Sequence, residues 1–219
     1  MRAWESRPDC TVVDEPFYAC YLQETGLDHP CRDAVLASQP TTRMAVEAQL
    51  LTPADTPFQY QKHMTHHMVR SVPRGWFDQV KHVFLLRHPA RVISSFAKKY
   101  NRISEQDIGF KKQVELFLEI TERGLKPIVV NSEDIRMKPE ETLTKLCDRI
   151  NLSFQKSMLS WSKGGHIKDG IWASHWYGSA HKSTGFSGPE DTLPNLKGRN
   201  ANLAEASMPF YSSLLKFAI

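Results

Sequence analysis

The stretch His82-Val83-Phe84-Leu85-Leu86-Arg87-His88-Pro89 holds the strongest chemical signal in this 219-residue chain. An apolar run ends in Arg87, and Pro89 then opens a segment with two serines, Ser94 and Ser95, on its second turn. The run His82 to Leu86 predicts a buried strand with both faces covered. Proline fits the first helical position, where its missing N–H costs nothing. Arg87 therefore stands where a parallel strand hands over to a helix. Open α/β sheets bind ligands at such junctions, and the free N–H groups of a helix start favour phosphate. A guanidinium there also serves simply to pair a carboxylate, so an anion site and a structural ion pair both stand as readings. Two further strand ends carry acid–base groups. Asp14-Glu15-Pro16 follows Thr11-Val12-Val13, and Lys62-His63 closes Phe58 to Lys62.

The elements that must position these residues alternate. Residues 1–7 read as the tail of a helix closed before Pro8. The strand at Thr11–Val13 is followed by a helix from Phe17 to Thr25, stopped by Gly26. Residues 28–40 read as irregular, and Arg43 to Leu51 as a modest helix. After the strands ending at Lys62 and Leu86 come a helix from Pro89 to about residue 101 and a longer one from Glu105 to Arg123, with helical apolar spacing. Pro127 to Val130 is a fourth strand, and Pro139 to Ile150 a helix. The C-terminal third is rich in Gly, Ser, Trp and His, and ends in a helix from Pro209 to Phe217. Strands alternating with helices predict an α/β fold, a parallel sheet flanked by helices.

Bulk composition narrows the function. A length of 219 residues suits a single domain, residues 1–219, with a sizeable core. Lys plus Arg is 28 and Asp plus Glu 24, a net charge of +4. That mild excess suits a small anionic ligand; no basic block points to nucleic acid. Cys10, Cys20, Cys31 and Cys147 form no C-x-x-C pair, which argues against zinc or a disulfide framework and for a cytoplasmic setting. No run is long enough to span a bilayer, and the first residues lack the apolar segment of a signal peptide. Oligomeric state is not readable.

Several segments, in order, resemble the sulfotransferase family, particularly its bacterial sulfotransferase-like branch. Phe84-Leu85-Leu86-Arg87-His88-Pro89 through Ser95 resembles the segment that holds the 3′-phosphate of the donor, 3′-phosphoadenosine 5′-phosphosulfate (PAPS). The matching positions are Arg87 and, eight residues on, Ser95. Val129-Val130-Asn131-Ser132-Glu133-Asp134-Ile135 through Pro139 resembles the family's tyrosine–glutamate–aspartate turn, with Ser132 in place of tyrosine. Asp14-Glu15-Pro16-Phe17-Tyr18 resembles its acidic turn. Ile171 to Tyr177 and Ser183 to Phe186 are similar to late segments of the bacterial branch. The resemblance implies a fold related to P-loop nucleotide folds. It also implies a strand and glycine-bearing phosphate loop ahead of Met1. No glycine precedes Gly26, so the reading is of an N-terminally truncated domain.

The resemblance implies sulfuryl transfer from PAPS to the hydroxyl of a small-molecule acceptor, without a metal, nucleic-acid or membrane partner. The rivals are a truncated, non-catalytic remnant with a partial nucleotide site, and a P-loop kinase relative. Sulfuryl transfer needs a base and positive charge near the transferred group. Glu15 matches the catalytic glutamate of some bacterial members; its other reading is an acid favouring the following helix by about 0.3–1 kcal/mol. His63 loosely matches the base of cytosolic members, with His66 fitting if the turn is longer, and histidine titrates near working pH. His63 and His67, four apart, could share a helix face on a metal, but no H-E-x-x-H pattern or carboxylate ligand accompanies them. Lys62 would meet the transferred group as a point charge, or is a solvated lysine. Arg91 adds charge beside Arg87 or forms an exposed salt bridge. Trp161, Trp172, Trp176 and Tyr177 line a pocket or belong to the core.

Overall fold

β-Branched and aromatic residues build four short strands, β1 (Cys10–Asp14), β2 (Phe58–Lys62), β3 (Val83–Leu86) and β4 (Ile128–Asn131). They pair as two parallel two-stranded sheets, β1 with β2 and β3 with β4. A computed structural model describes all residues, 1–219. The chain gathers into two compact units. Unit 1 is Met1–Trp76 with Gln155–Phe186, and unit 2 is Phe77–Phe154 with Ser187–Ile219. Each holds one sheet with helices around it, an α/β architecture of small parallel sheets.

In unit 1, α1 (Arg2–Glu5) precedes β1. α2 (Tyr18–Thr25) ends at Gly26 in the left-handed conformation that glycine adopts without strain. Residues 28–40, expected to be irregular, contain α3 (Arg32–Ser38). Val35 explains the difference. It is fully buried and packs with Tyr18, Ala19, Leu22 and Trp172, so tertiary burial stabilises a helix with weak local signals. α4 (Arg43–Leu51) has the bounds its sequence predicts. The histidine-rich stretch forms one tight turn, Thr65–His67. His63 therefore lies outside it, and the shared helix face for His63 and His67 does not form.

In unit 2, β3 buries Phe84 and Leu86 but exposes Val83 and Leu85, so the expected coverage of both faces is wrong for this strand. Its alternation is that of a one-sided strand. β4 is buried throughout. Between them lie α5 (Pro89–Ala97), α6 (Glu105–Ile108) and α7 (Phe110–Glu122). The single helix expected over Glu105–Arg123 is broken at Gly109, whose φ of 67° caps α6. After β4 come α8 (Ser132–Met137) and α9 (Pro139–Arg149). The chain then returns to unit 1 for α10 (Ala173–Trp176) and α11 (Gly178–Lys182). It ends in unit 2 with α12 (Gly198–Leu215), which starts well before Pro209 and runs through it. α12 buries Tyr211 and Leu214 and contacts α5, α7 and both strands of its unit. No helix is long and apolar enough to cross a membrane.

Candidate functional site

The parallel register of β1 and β2 sets Asp14 opposite Lys62. The Glu15 N–H extends the ladder by donating to the Lys62 carbonyl at 2.8 Å. Glu15 then turns sharply, at φ 44°, a left-handed conformation that costs a non-glycine residue energy. Gln39 steadies the turn, donating to the Glu15 carbonyl at 3.2 Å and accepting from the Ala19 N–H at 3.2 Å. Two adjacent carboxylates and one ammonium thus share the C-terminal end of the sheet.

Lys62 Nζ donates to Glu15 Oε1, to Asp14 Oδ1 at 3.3 Å and to the Tyr177 hydroxyl at 2.7 Å. Tyr177 lies 2.7 and 2.8 Å from the two Asp14 oxygens and donates to that carboxylate; Glu15 Oε1 is 3.2 Å away. Trp172 Nε1 donates to the Tyr177 oxygen at 3.3 Å, and the Gly170 N–H to Asp14 Oδ2 at 3.0 Å. Asp14 and Glu15 are buried, whereas Lys62 keeps 24% of its side chain exposed. Burial pushes the Glu15 carboxyl upward; Lys62 opposes this and Asp14 adds to it. Burial and the two carboxylates push the Tyr177 phenol upward, so it stays protonated and donates.

Of the sequence candidates, the structure brings Glu15 and Lys62 together. His63 Nε2 is 3.2 Å from Gln61 Oε1, and its ring stacks on Trp76 at 5.1 Å. His67 places its Nδ1 4.0 Å from Glu15 Oε2. It is buried and stacked on Tyr18 at 4.5 Å. Burial, then the charges of His66 and Lys62, hold it well below its ordinary pKa, so it is neutral and forms no ion pair. Trp172 belongs to the core, with Trp176 and Tyr177 packed against it. Sequence reasoning ranked Tyr177 as a stacking ring and passed over its hydroxyl. The signal available was its place at the end of the late segment Ile171–Tyr177.

In unit 2, Arg87 follows β3 as expected, but its partner is a carboxylate. Nη2 donates to Glu190 Oε1 at 2.5 Å, and 41% of the side chain remains exposed. Ser95 is exposed on α5 and makes no hydrogen bond to Arg87. Arg91 is no exposed salt bridge. Only 11% of its side chain is exposed, with Nε 3.3 Å from Glu190 Oε2 and 3.4 Å from Glu133 Oε1. Its Nη2 donates to the Asp191 carbonyl at 2.6 Å. Burial opposes ionisation of Glu190, but Arg87, Arg91 and Arg136 outweigh it and hold the carboxyl below its ordinary range. The Ser132-Glu133-Asp134 turn opens α8, with the Asn131 side chain accepting from the Glu133 N–H at 3.4 Å.

Comparison with known proteins bears on both units. Two Arabidopsis thaliana proteins, branched-chain-amino-acid aminotransferase-like proteins 1 and 2, are 34% and 31% identical to this chain over 215 residues, 98% of its length. The chain spans 39% and 38% of those relatives. Two solved structures also align with it. One is a sulfotransferase domain from the curacin biosynthetic pathway, with TM-score 0.43 and 17% identity, covering 85% of this chain and 76% of that one. The other is a sulfotransferase domain from the Synechococcus PCC 7002 olefin synthase, with TM-score 0.39 and 20% identity, covering 85% and 72%. The family model described as "Sulfotransferase domain" matches residues 1–218, both units included, and the chain belongs to that family.

Proposed function

We propose that the chain transfers a sulfuryl group from PAPS to the hydroxyl of a small-molecule acceptor, with residues 1–219 acting as one domain. The observation that carries this reading is the buried Glu15 carboxyl beside Lys62 at the end of β1. A base works best when its pKa approaches the working pH, and burial moves Glu15 in that direction. In this reading Glu15 takes the acceptor's hydroxyl proton. The acceptor oxygen bonds to sulfur as the bond from sulfur to the bridging phosphate oxygen breaks. 3′-Phosphoadenosine 5′-phosphate then leaves with the electron pair. Lys62, partly open to solvent, offsets the charge on the oxygens involved. Tyr177 and Asp14 hold the pair in place. Arg87, with an exposed face and a carboxylate already seated on it, has the chemistry of a ligand for the donor's 3′-phosphate. Ser95 is the weaker partner, since it does not reach Arg87. A cytoplasmic setting suits four cysteines that form no disulfide.

The test is a transfer assay with radiolabelled PAPS against phenolic and alcoholic acceptors, with nucleotide binding followed by calorimetry. Glu15→Gln is expected to lower the rate about 10²–10⁴-fold, the usual contribution of a general base, with nucleotide affinity retained. A full rate in Glu15→Gln together with a loss in His63→Gln would move the base to His63. Nucleotide binding without transfer to any acceptor would overturn the catalytic reading and leave a non-catalytic binding remnant.

A further inference from the structure

Two guanidiniums ion-pair with one carboxylate in unit 2, and a third, that of Arg136, adds to its electrostatic hold. Arg87 leaves the end of β3, Arg91 stands on the first turn of α5, and Arg136 lies on α8, which follows β4. Glu190, from the irregular segment before α12, makes one strong hydrogen bond, through Oε1 to Arg87. Its other oxygen, Oε2, is ion-paired with Arg91 Nε at 3.3 Å but makes no hydrogen bond, and Nε of Arg136 is buried with no hydrogen-bond partner. Buried donors and acceptors are normally paired, so a cation cluster with both a spare acceptor and a spare donor is incompletely satisfied by Glu190. We infer that Arg87, Arg91 and Arg136 form a binding site for a phosphate monoester, and that Glu190 occupies it as an internal anion which the ligand displaces. This inference rests on Arg87 being the 3′-phosphate ligand proposed above, and it adds Arg136 and a built-in competitor to that site.

The charges agree with a dianionic ligand. With Glu190 displaced, the ion pair left to Arg87 and Arg91 is that of Arg91 with Glu133, and Arg136 adds a third positive charge. A phosphate monoester carries close to two negative charges at neutral pH. Its oxygens can accept from several guanidinium N–H groups at once. The second tie on the segment is the Arg91 bond to the Asp191 carbonyl. A ligand that recruits Arg91 loosens both ties together.

Calorimetry with adenosine 3′,5′-bisphosphate, and with adenosine 5′-phosphate as the probe lacking a 3′-phosphate, tests the inference. Glu190→Gln is expected to bind the bisphosphate about tenfold tighter, with the monophosphate nearly unchanged, because a charged competitor is removed. Arg136→Met is expected to weaken the bisphosphate about tenfold. If Arg87→Ala weakens binding but Glu190→Gln does not strengthen it, the internal-anion model is overturned while the 3′-phosphate reading stands. If Arg87→Ala leaves affinity unchanged, both fall. The wild-type protein supplies a second readout that no folding defect confounds. On saturation with the bisphosphate, amides at residues 190–193 should exchange hydrogen faster; unchanged or slower exchange overturns displacement.

Discussion

At Tyr177 a single hydroxyl decides how two neighbouring carboxylates coexist. It donates to Asp14, accepts from Lys62 and Trp172, and lies beside Glu15. Without it, Asp14 loses a buried donor and Lys62 a buried acceptor. Removing one partner of a buried hydrogen bond costs more than the bond contributes, because the other is left desolvated and unpaired. Tyr177→Phe is expected to lower stability by about 1–3 kcal/mol in urea unfolding. Transfer activity should fall with it, since Lys62 would lose an anchor. Stability within about 0.5 kcal/mol of wild type, the usual range of a neutral surface change, would show that water replaces the hydroxyl at no cost. The sequence names every residue of this cluster but not their meeting. Tyr177 lies 162 residues from Glu15, and its ring reads as core.

Among the elements, register does the positioning. A slip of one residue between β1 and β2 would put Gln61 opposite Asp14 and turn Lys62 to the other face of the sheet. The segment bringing Gly170 to Asp14 is equally constrained. The Trp172 ring folds back over Gly170, so that a Cβ added there would lie 2.1 Å from ring atoms. Trp172 is buried among Tyr18, Ala19, Leu22 and Val35 and has no free space to yield. Gly170→Ala is therefore expected to cost about 1–3 kcal/mol by overpacking, measurable by chemical denaturation. A near-neutral effect would mean that the Trp172 ring repacks freely. Elements with strong local signals were legible: β2 and α4 have their expected bounds. α3 was not, because its stability comes from Val35 meeting a core drawn partly from residue 172. Nor was the break at Gly109, since apolar periodicity continues across it.

For the whole molecule, buried histidines make stability depend on pH. Folding holds His67 well below its ordinary value of 6.5, mainly by burial. His82 and His88 shift in the same direction, again mainly by burial. As pH falls through about 6.5, unfolded chains gain protons that the native protein does not bind, so stability declines. The limiting slope is about 1.4 kcal/mol per pH unit for each such histidine. Glu15 acts oppositely. Its raised folded pKa contributes stability below the unfolded value of 4.5 that is lost as pH rises through the folded pKa. Between pH 7 and 5 the histidine effect should dominate. Urea midpoints should drop across that window, and His67→Phe, which keeps a ring between its aromatic neighbours, should flatten the decline. An equal slope in the variant would remove His67 as the cause.

Local sequence determined where strands end and helices start, because apolar spacing, Pro89 and Gly26 act over a few residues. Glu15, Lys62 and Arg87 could therefore be placed at strand ends before any coordinates. Tertiary structure decided who partners them. Arg87 faces Glu190, 103 positions away, instead of Ser95 on its own helix. Glu15 sits against Lys62 and Tyr177, with His67 Nδ1 4.0 Å from its carboxylate. Such encounters depend on sheet register and on loops returning from distant parts of the chain. A one-dimensional pattern of residue types carries no measure of that distance.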